Sequence, residues 1–299
     1  MPVTLNYDVL SIIFAHILPQ DLARLALHSQ CFAQAAQEQL YRRIRIHFAP
    51  FDLLAQTLAG STKIRGLVRH LDISLRDVDT ATSRRLHAMF LMLDSIESIR
   101  VVIEACNSGS EEGSDSAYPY LVSILKHREH IRKIQFHWRV TSAPPISKPL
   151  FEDSFDACSV ESLELESHIS LDAFHNLLKP LKSLASLTCT VPGTPGPRTR
   201  PAMTDVLSPR QIATSLESTT LTLKELKLSG PLQYWPRTDG TRLNLTSFKL
   251  LKRVDVPHFL FFNSPGPSPD RDGLYKLLPP SVEHIEVFLS LRFTLSRRH

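Results

Sequence analysis

His127 and His130 are the one pair in this chain spaced so that two rings on a helix could share a metal ion. No cysteine or second carboxylate set completes such a site at local spacing, so the pair reads as part of a solvated polar face. The chain carries no glycine-rich phosphate loop ending in Lys-Ser/Thr, no His-Glu-x-x-His, no nucleophile elbow and no EF-hand loop. Ten glycines in 299 residues leave little of the flexible backbone that phosphate sites need. Cys31, Cys106, Cys158 and Cys189 lie far apart with no Cys-x-x-Cys pair, as expected of a reduced protein, with Cys189 a small core residue. The expectation is a protein that is not an enzyme and needs no cofactor or metal.

The chemistry that remains is recognition by charged residues at alternating positions. They fall into short registers: Arg69, His70, Asp72; Arg132, Lys133, Gln135, His137; Glu161, Glu164, Glu166; Lys224, Lys227; Lys252, Arg253; and Glu283, Glu286. If these segments are adjacent parallel strands about 4.8 Å apart, equivalent positions become neighbours. Arg132 then faces Glu161 and Lys252 faces Glu283, each pair contributing roughly 0.2–1 kcal/mol. Such a face either pairs its charge internally or docks a charged protein segment, and the residues leave both readings open. On the second, the target-binding candidates are Arg132, Lys133, His137, Glu164, Glu166, Lys224 and Lys227.

Strands are expected there because an apolar-x-x-apolar-x-apolar signature recurs eight times. It reads Val68-Leu71-Ile73, Ile96-Ile99-Val101, Ile131-Ile134-Phe136, Val160-Leu163-Leu165, Leu184-Leu187-Cys189, Leu223-Leu226-Leu228, Leu251-Val254-Val256 and Val282-Ile285-Val287. Successive copies start roughly 24 to 39 residues apart, the range of solenoid units. Helix-like segments lie between them at Arg84 to Leu93, Pro119 to His127, Leu171 to Leu181, Pro209 to Leu216 and Leu274 to Leu278. A strand followed by a helix, repeated, gives parallel strands with right-handed crossovers, and one short strand per unit stacks into a curved solenoid. The competing reading is a nonrepetitive α/β domain with a coincidental apolar rhythm.

The signature resembles the strand portion of leucine-rich repeats. That family places Asn or Cys three residues on; here those positions hold Arg76, Glu104, Arg139, His168, Pro192, Pro231, Phe259 and Ser290, so the repeats are degenerate. Long loops interrupt them: Asn107 to Ala117, Thr141 to Pro149, Pro192 to Pro201 and Asn263 to Asp272, rich in Ser, Gly or Pro. Trp138 and Trp235 are expected to pack beside repeat strands.

The first forty-odd residues follow a different rhythm. Leu10, Ile13, Phe14 and Ile17 share one helical face; Pro19 breaks the chain; Leu22, Leu25 and Ala26 line a second short helix; Phe32, Ala36 and Leu40 stripe a third. Helices this short bury little between them, so much of that apolar surface is expected to face something else. The run Leu5, Asp8-Val9-Leu10, Ile13-Phe14, Leu18, Asp21-Leu22, Leu25, Leu27, Ser29, Phe32, Leu40-Tyr41-Arg42 resembles the F-box motif. It has Asn6 where that motif usually has Pro, and Phe32 and Tyr41 where it usually has Trp. The resemblance implies that residues 1–48 bind the small Skp-type adaptor of cullin–RING ubiquitin ligases, through Leu5, Leu10, Ile13, Phe14, Leu18, Leu22 and Leu25. Residues 49–299 form the solenoid, and an F-box before a leucine-rich horseshoe is a frequent family architecture.

The expected fold class is therefore α/β: a short three-helix F-box-like domain followed by an irregular leucine-rich-repeat-like solenoid of parallel strands. The expected function is the substrate-recognition subunit of such a ligase, with an adaptor, through it a cullin, and a protein target as partners. The alternative is a stand-alone interaction scaffold, in which Leu10, Ile13 and Leu18 would be buried against the Phe48, Phe51 and Leu54 region. A net charge of +4 with Lys and Arg spread along the chain only weakly favours a nucleic-acid binder, which usually shows a denser basic footprint, and nucleic acid is not an expected partner. Nothing resembles a signal peptide, and no run approaches 18 apolar residues, so a cytoplasmic or nuclear location away from membranes is expected.

Overall fold

The alternation in each signature becomes a strand, and the strands come together in the order in which they are written. The computed structural model describes residues 6–47, 52–76, 80–105, 130–140, 159–167, 169–192, 206–230, 236–262 and 273–288. Its strands are β1 (Arg43–His47), β2 (His70–Arg76), β3 (Ser98–Ala105), β4 (Lys133–Val140), β5 (Ser162–Glu166), β6 (Ser186–Thr190), β7 (Glu225–Ser229), β8 (Arg253–Pro257) and β9 (His284–Phe288). They form one sheet in the order β1 to β9, and every neighbouring pair is parallel. The protein is thus α/β with a nine-stranded parallel sheet, consistent with a solenoid-like arrangement.

The signature fixes the register. Leu71, Ile99, Ile134, Leu163, Leu187, Leu226, Val254 and Ile285 stand opposite one another from strand to strand. All are buried except Ile285 on the last strand, which is 37% exposed. A slip of one residue on any strand would turn that whole set to the opposite face.

A ninth copy, Tyr41-Ile44-Ile46, precedes the eight: Ile44 stands opposite Leu71, Ile46 opposite Ile73, and Tyr41 packs against the same core. The sheet therefore starts at Arg43, within the 1–48 segment. Arg43 leaves the preceding helix with φ −129° and ψ 107°, and the alternation Arg-Ile-Arg-Ile-His buries both β-branched residues on one side.

Helices cover that apolar side. Helix α1 spans Tyr7–Phe14, α2 Pro19–Leu25, α3 Gln30–Arg42, α4 Asp52–Gly60, α5 Thr62–Leu67, α6 Thr80–Met92, α7 Leu171–Leu178 and α8 Pro209–Ser215. In α6, Leu86, Met89 and Phe90 follow the i, i+3, i+4 spacing and are buried. In α7, Ala173, Phe174, Leu177 and Leu178 do the same work, and the Ser170 hydroxyl caps its start by accepting from the Ala173 N–H at 3.2 Å. Helix α8 begins with Pro209 after the Ser208 cap, where a missing N–H costs nothing. Leu274–Leu277 is a short 3₁₀ turn entered through Gly273 at φ 107°, a left-handed conformation that favours glycine.

Two cores result. One runs without a break from Ile44 to Phe261, joined by Val287 at its edge. The other belongs to the first three helices: Leu10, Phe14, Leu22, Ala35 and Ala36, with Phe14 and Phe32 edge to face at 5.8 Å. Those helices thus spend part of their apolar surface on one another. Helix α3 links the two bodies by packing against α5 and β1. The expected helix Pro119 to His127, most of the long loops, and Leu5, Cys106, Cys158, His127 and Trp235 lie outside the described residues, as does the side chain of Trp138.

Candidate interaction surfaces

The strand residues between signature positions form a polar face opposite the helices. Its central row runs Arg45, Asp72, Arg100, Gln135, Glu164, Thr188, Lys227, Asp255, Glu286, each in register with the next. Much of its charge is internally paired. Arg100 Nη1 lies 3.2 Å from Asp72 Oδ1, a half-buried cross-strand pair. Arg69 lies 3.6 Å from Glu97, Arg132 3.4 Å from Glu161, and Lys252 2.8 Å from Glu283. The last two are the pairs that the spacing of the repeats predicts.

The target-binding candidates separate into two groups. Arg132, Lys133, His137, Glu164 and Glu166 all lie on β4 and β5 and the turns that lead into them, but only His137, Glu164 and Glu166 come together, at the far end from Arg132 and Lys133. The His137 ring is buried; its Nδ1 lies 2.6 Å from Glu166 Oε2 and its Nε2 3.5 Å from Glu164 Oε1. Gln135 donates to the other oxygen of Glu164, while His137 Nε2 is buried without a hydrogen bond. Lys224 and Lys227 belong to β7 and its approach, with β6 intervening, about 10 Å away from β5. They remain exposed and do not join that cluster.

At the beginnings of β2 to β5, Arg69, Glu97, His130, Arg132, Ser159 and Glu161 line an open depression of about 700 Å³. His130 contributes to that polar rim, as expected of a solvated face. Near the β1 edge, burial first and then the Arg43 guanidinium hold the His70 imidazole below its ordinary pKa. Cys189 is buried, and burial pushes its thiol far up, so it is an inert core residue.

The adaptor-binding candidates also divide. Leu10 (2% exposed), Phe14 (3%) and Leu22 (3%) fill the helices' own core, and Leu25 packs half-buried beside them. Ile13 (44%) and Leu18 (60%) are open to solvent. Val9 and Leu27, which belong to the F-box-like run but not to the adaptor-binding set, are exposed as well, and so is Ile12, which the spacing alone missed. Val9, Ile12 and Ile13 follow i, i+3, i+4, so α1 is apolar on two faces and only the Leu10/Phe14 face is used internally.

Asn6 has a local explanation. Its side-chain oxygen accepts from the Asp8 N–H at 3.3 Å and caps α1. Ser29 caps α3 by accepting from the Phe32 N–H, and Gln39 ties α3 back to α1 through the Ser11 carbonyl and hydroxyl. None of the described helices is long and apolar enough to cross a membrane. A scan against protein-family models finds no match, and a search among curated proteins finds none.

Proposed function

We propose that this chain is a noncatalytic, substrate-recruiting subunit of a cullin–RING ubiquitin ligase, with F-box-like helices and a degenerate leucine-rich-repeat-like sheet. The observation that carries the reading is the open apolar face of α1 and the turn after it, Val9, Ile12, Ile13 and Leu18. Neighbouring exposed apolar side chains on a helix mark a protein contact more often than chance exposure. The resemblance of residues 5–42 to the F-box motif names that contact as a Skp-type adaptor. The polar strand face then receives the target, with the β4–β5 cluster around His137 as its most structured part. Acceleration comes from effective concentration, since the receptor holds a target lysine near a thioester that it never touches.

A second reading is a stand-alone interaction scaffold whose N-terminal helices cap the sheet. The packing of α3 on α5 and β1 favours it. The test is capture of the full chain by purified Skp-type adaptor, with an Ile13→Asp/Leu18→Asp variant alongside. Both positions are exposed, so the variant keeps its fold, checked by circular dichroism. Capture of the wild type and loss in the variant is the expected result. A folded wild type that is not captured leaves the scaffold reading.

A further inference from the structure

We propose that Asp255, His284 and Glu286 form a binding site for one divalent transition-metal ion of the zinc type, clipping the last strand of the sheet to its neighbour. Asp255 lies on β8; His284 and Glu286 lie two residues apart on β9 and therefore on one face of it. Glu286 stands directly opposite Asp255 in the register. One ligand atom from each of the three comes within 4.8 Å of the others.

Asp255 is one of four described residues with a buried side-chain polar atom that lacks a hydrogen-bond partner, and the one among them that belongs to a three-residue metal-ligating group. Its side chain is 6% exposed, and its Oδ1 is buried without a hydrogen-bond partner. A buried carboxylate oxygen left in that condition is costly, and each such atom in a folded protein calls for a partner. The other oxygen, Oδ2, accepts from Arg253 Nε at 3.0 Å, which holds the carboxylate in one orientation and leaves Oδ1 turned toward β9. There, His284 Nε2 lies 3.9 Å from Oδ1, too far for a hydrogen bond. Two ligands of one tetrahedral zinc ion sit about 3.4 Å apart, so a small shift of the exposed imidazole closes the gap around a cation. Lys227, in register with Asp255 from the other side, makes no ion pair with it.

The donor set selects the ion. Two carboxylates and a neutral imidazole suit zinc and its first-row neighbours, whereas calcium and magnesium take oxygen ligands. The two carboxylates supply the negative charge that draws a divalent ion, partly offset by the Arg253 guanidinium on Oδ2, and three protein ligands leave a coordination position open. Ile285, between the two β9 ligands, is exposed at the edge of the main core, so a clip at this point holds a strand that has less apolar burial than the others.

The test uses the full chain, stripped with a chelator and titrated with Zn²⁺ by calorimetry, with thermal melting in parallel. His284→Ala and Glu286→Gln serve as variants, because both side chains are exposed and can change without opening the core. Zinc bound at other histidines would be common to all three proteins. The expected result is one Zn²⁺ that each variant weakens at least tenfold, with a zinc-dependent rise in melting midpoint that each variant loses. Zinc affinity and melting shift that are the same in the variants, or no zinc binding at all, would overturn the site. Calcium acting as strongly as zinc would overturn the assignment of the ion.

Discussion

Arg132 and Glu161 touch twice: the Arg132 carbonyl accepts the Glu161 N–H at 2.8 Å, and the guanidinium lies 3.4 Å from the Glu161 carboxylate. The arrangement recurs two units earlier, at Arg69 and Glu97, and again at Lys252 and Glu283. In each case the same carbonyl also accepts the next N–H, that of Ser98, Ser162 or His284. Backbone bonds thus set the register of these units, and the ion pairs lie over them in solvent.

Because that pair is exposed on both sides, its Coulomb energy is screened and offset by side-chain entropy. Glu161→Gln is expected to change stability by less than about 1 kcal/mol. Melting at low and high salt checks it; a drop of several degrees at low salt would show that the ion pairs, and not the backbone bonds, hold the units together.

The apolar rows behave differently. Leu187 is fully buried and stands between Leu163 and Leu226. Leu187→Ala leaves a cavity in a row that cannot collapse without moving two strands, and is expected to cost about 2–5 kcal/mol in chemical denaturation.

Phe14 tests whether the two cores are independent. It is buried among Leu10, Leu22 and Ala36 and meets Phe32 edge to face. Phe14→Ala is expected to destabilise the helical body by about 3 kcal/mol. Hydrogen exchange should show lost protection across α1 to α3 with little change in β3 to β8. Uniform loss over the whole chain would mean that the cores unfold as one.

His70 gives the stability a pH dependence. Burial and the Arg43 charge lower its pKa in the folded state, so the unfolded chain binds the proton more readily. The stabilisation is complete above the unfolded value and is lost as pH falls through the folded one. The melting midpoint is therefore expected to fall as the solution is acidified below neutrality, and His70→Gln should flatten that part of the profile. An unchanged profile in the variant would assign the slope to other groups.

The sheet was legible because a parallel strand buried on one face repeats its apolar spacing, and all eight signatures became strands in register. The first strand was hidden by overlap: Tyr41 lies in the last turn of the third helix, within the F-box-like run, and also opens the Tyr41-Ile44-Ile46 triplet, so its second role was masked. The Arg132–Glu161 and Lys252–Glu283 pairs followed from register alone. The Asp255 cluster did not, because the burial that leaves one oxygen without a partner is a property of packing. On α1, periodicity gathered Leu10, Ile13 and Phe14 as one set; only the third dimension tells which of them turns inward.

The sequential order of the sheet has a consequence for how the chain is made. From β2 onward, each strand finds a partner in the unit synthesised just before it and does not have to wait for a segment still to be translated. Folding can therefore proceed vectorially, each new strand added to a finished edge, so that at any moment the growing protein exposes one open ladder at its leading end.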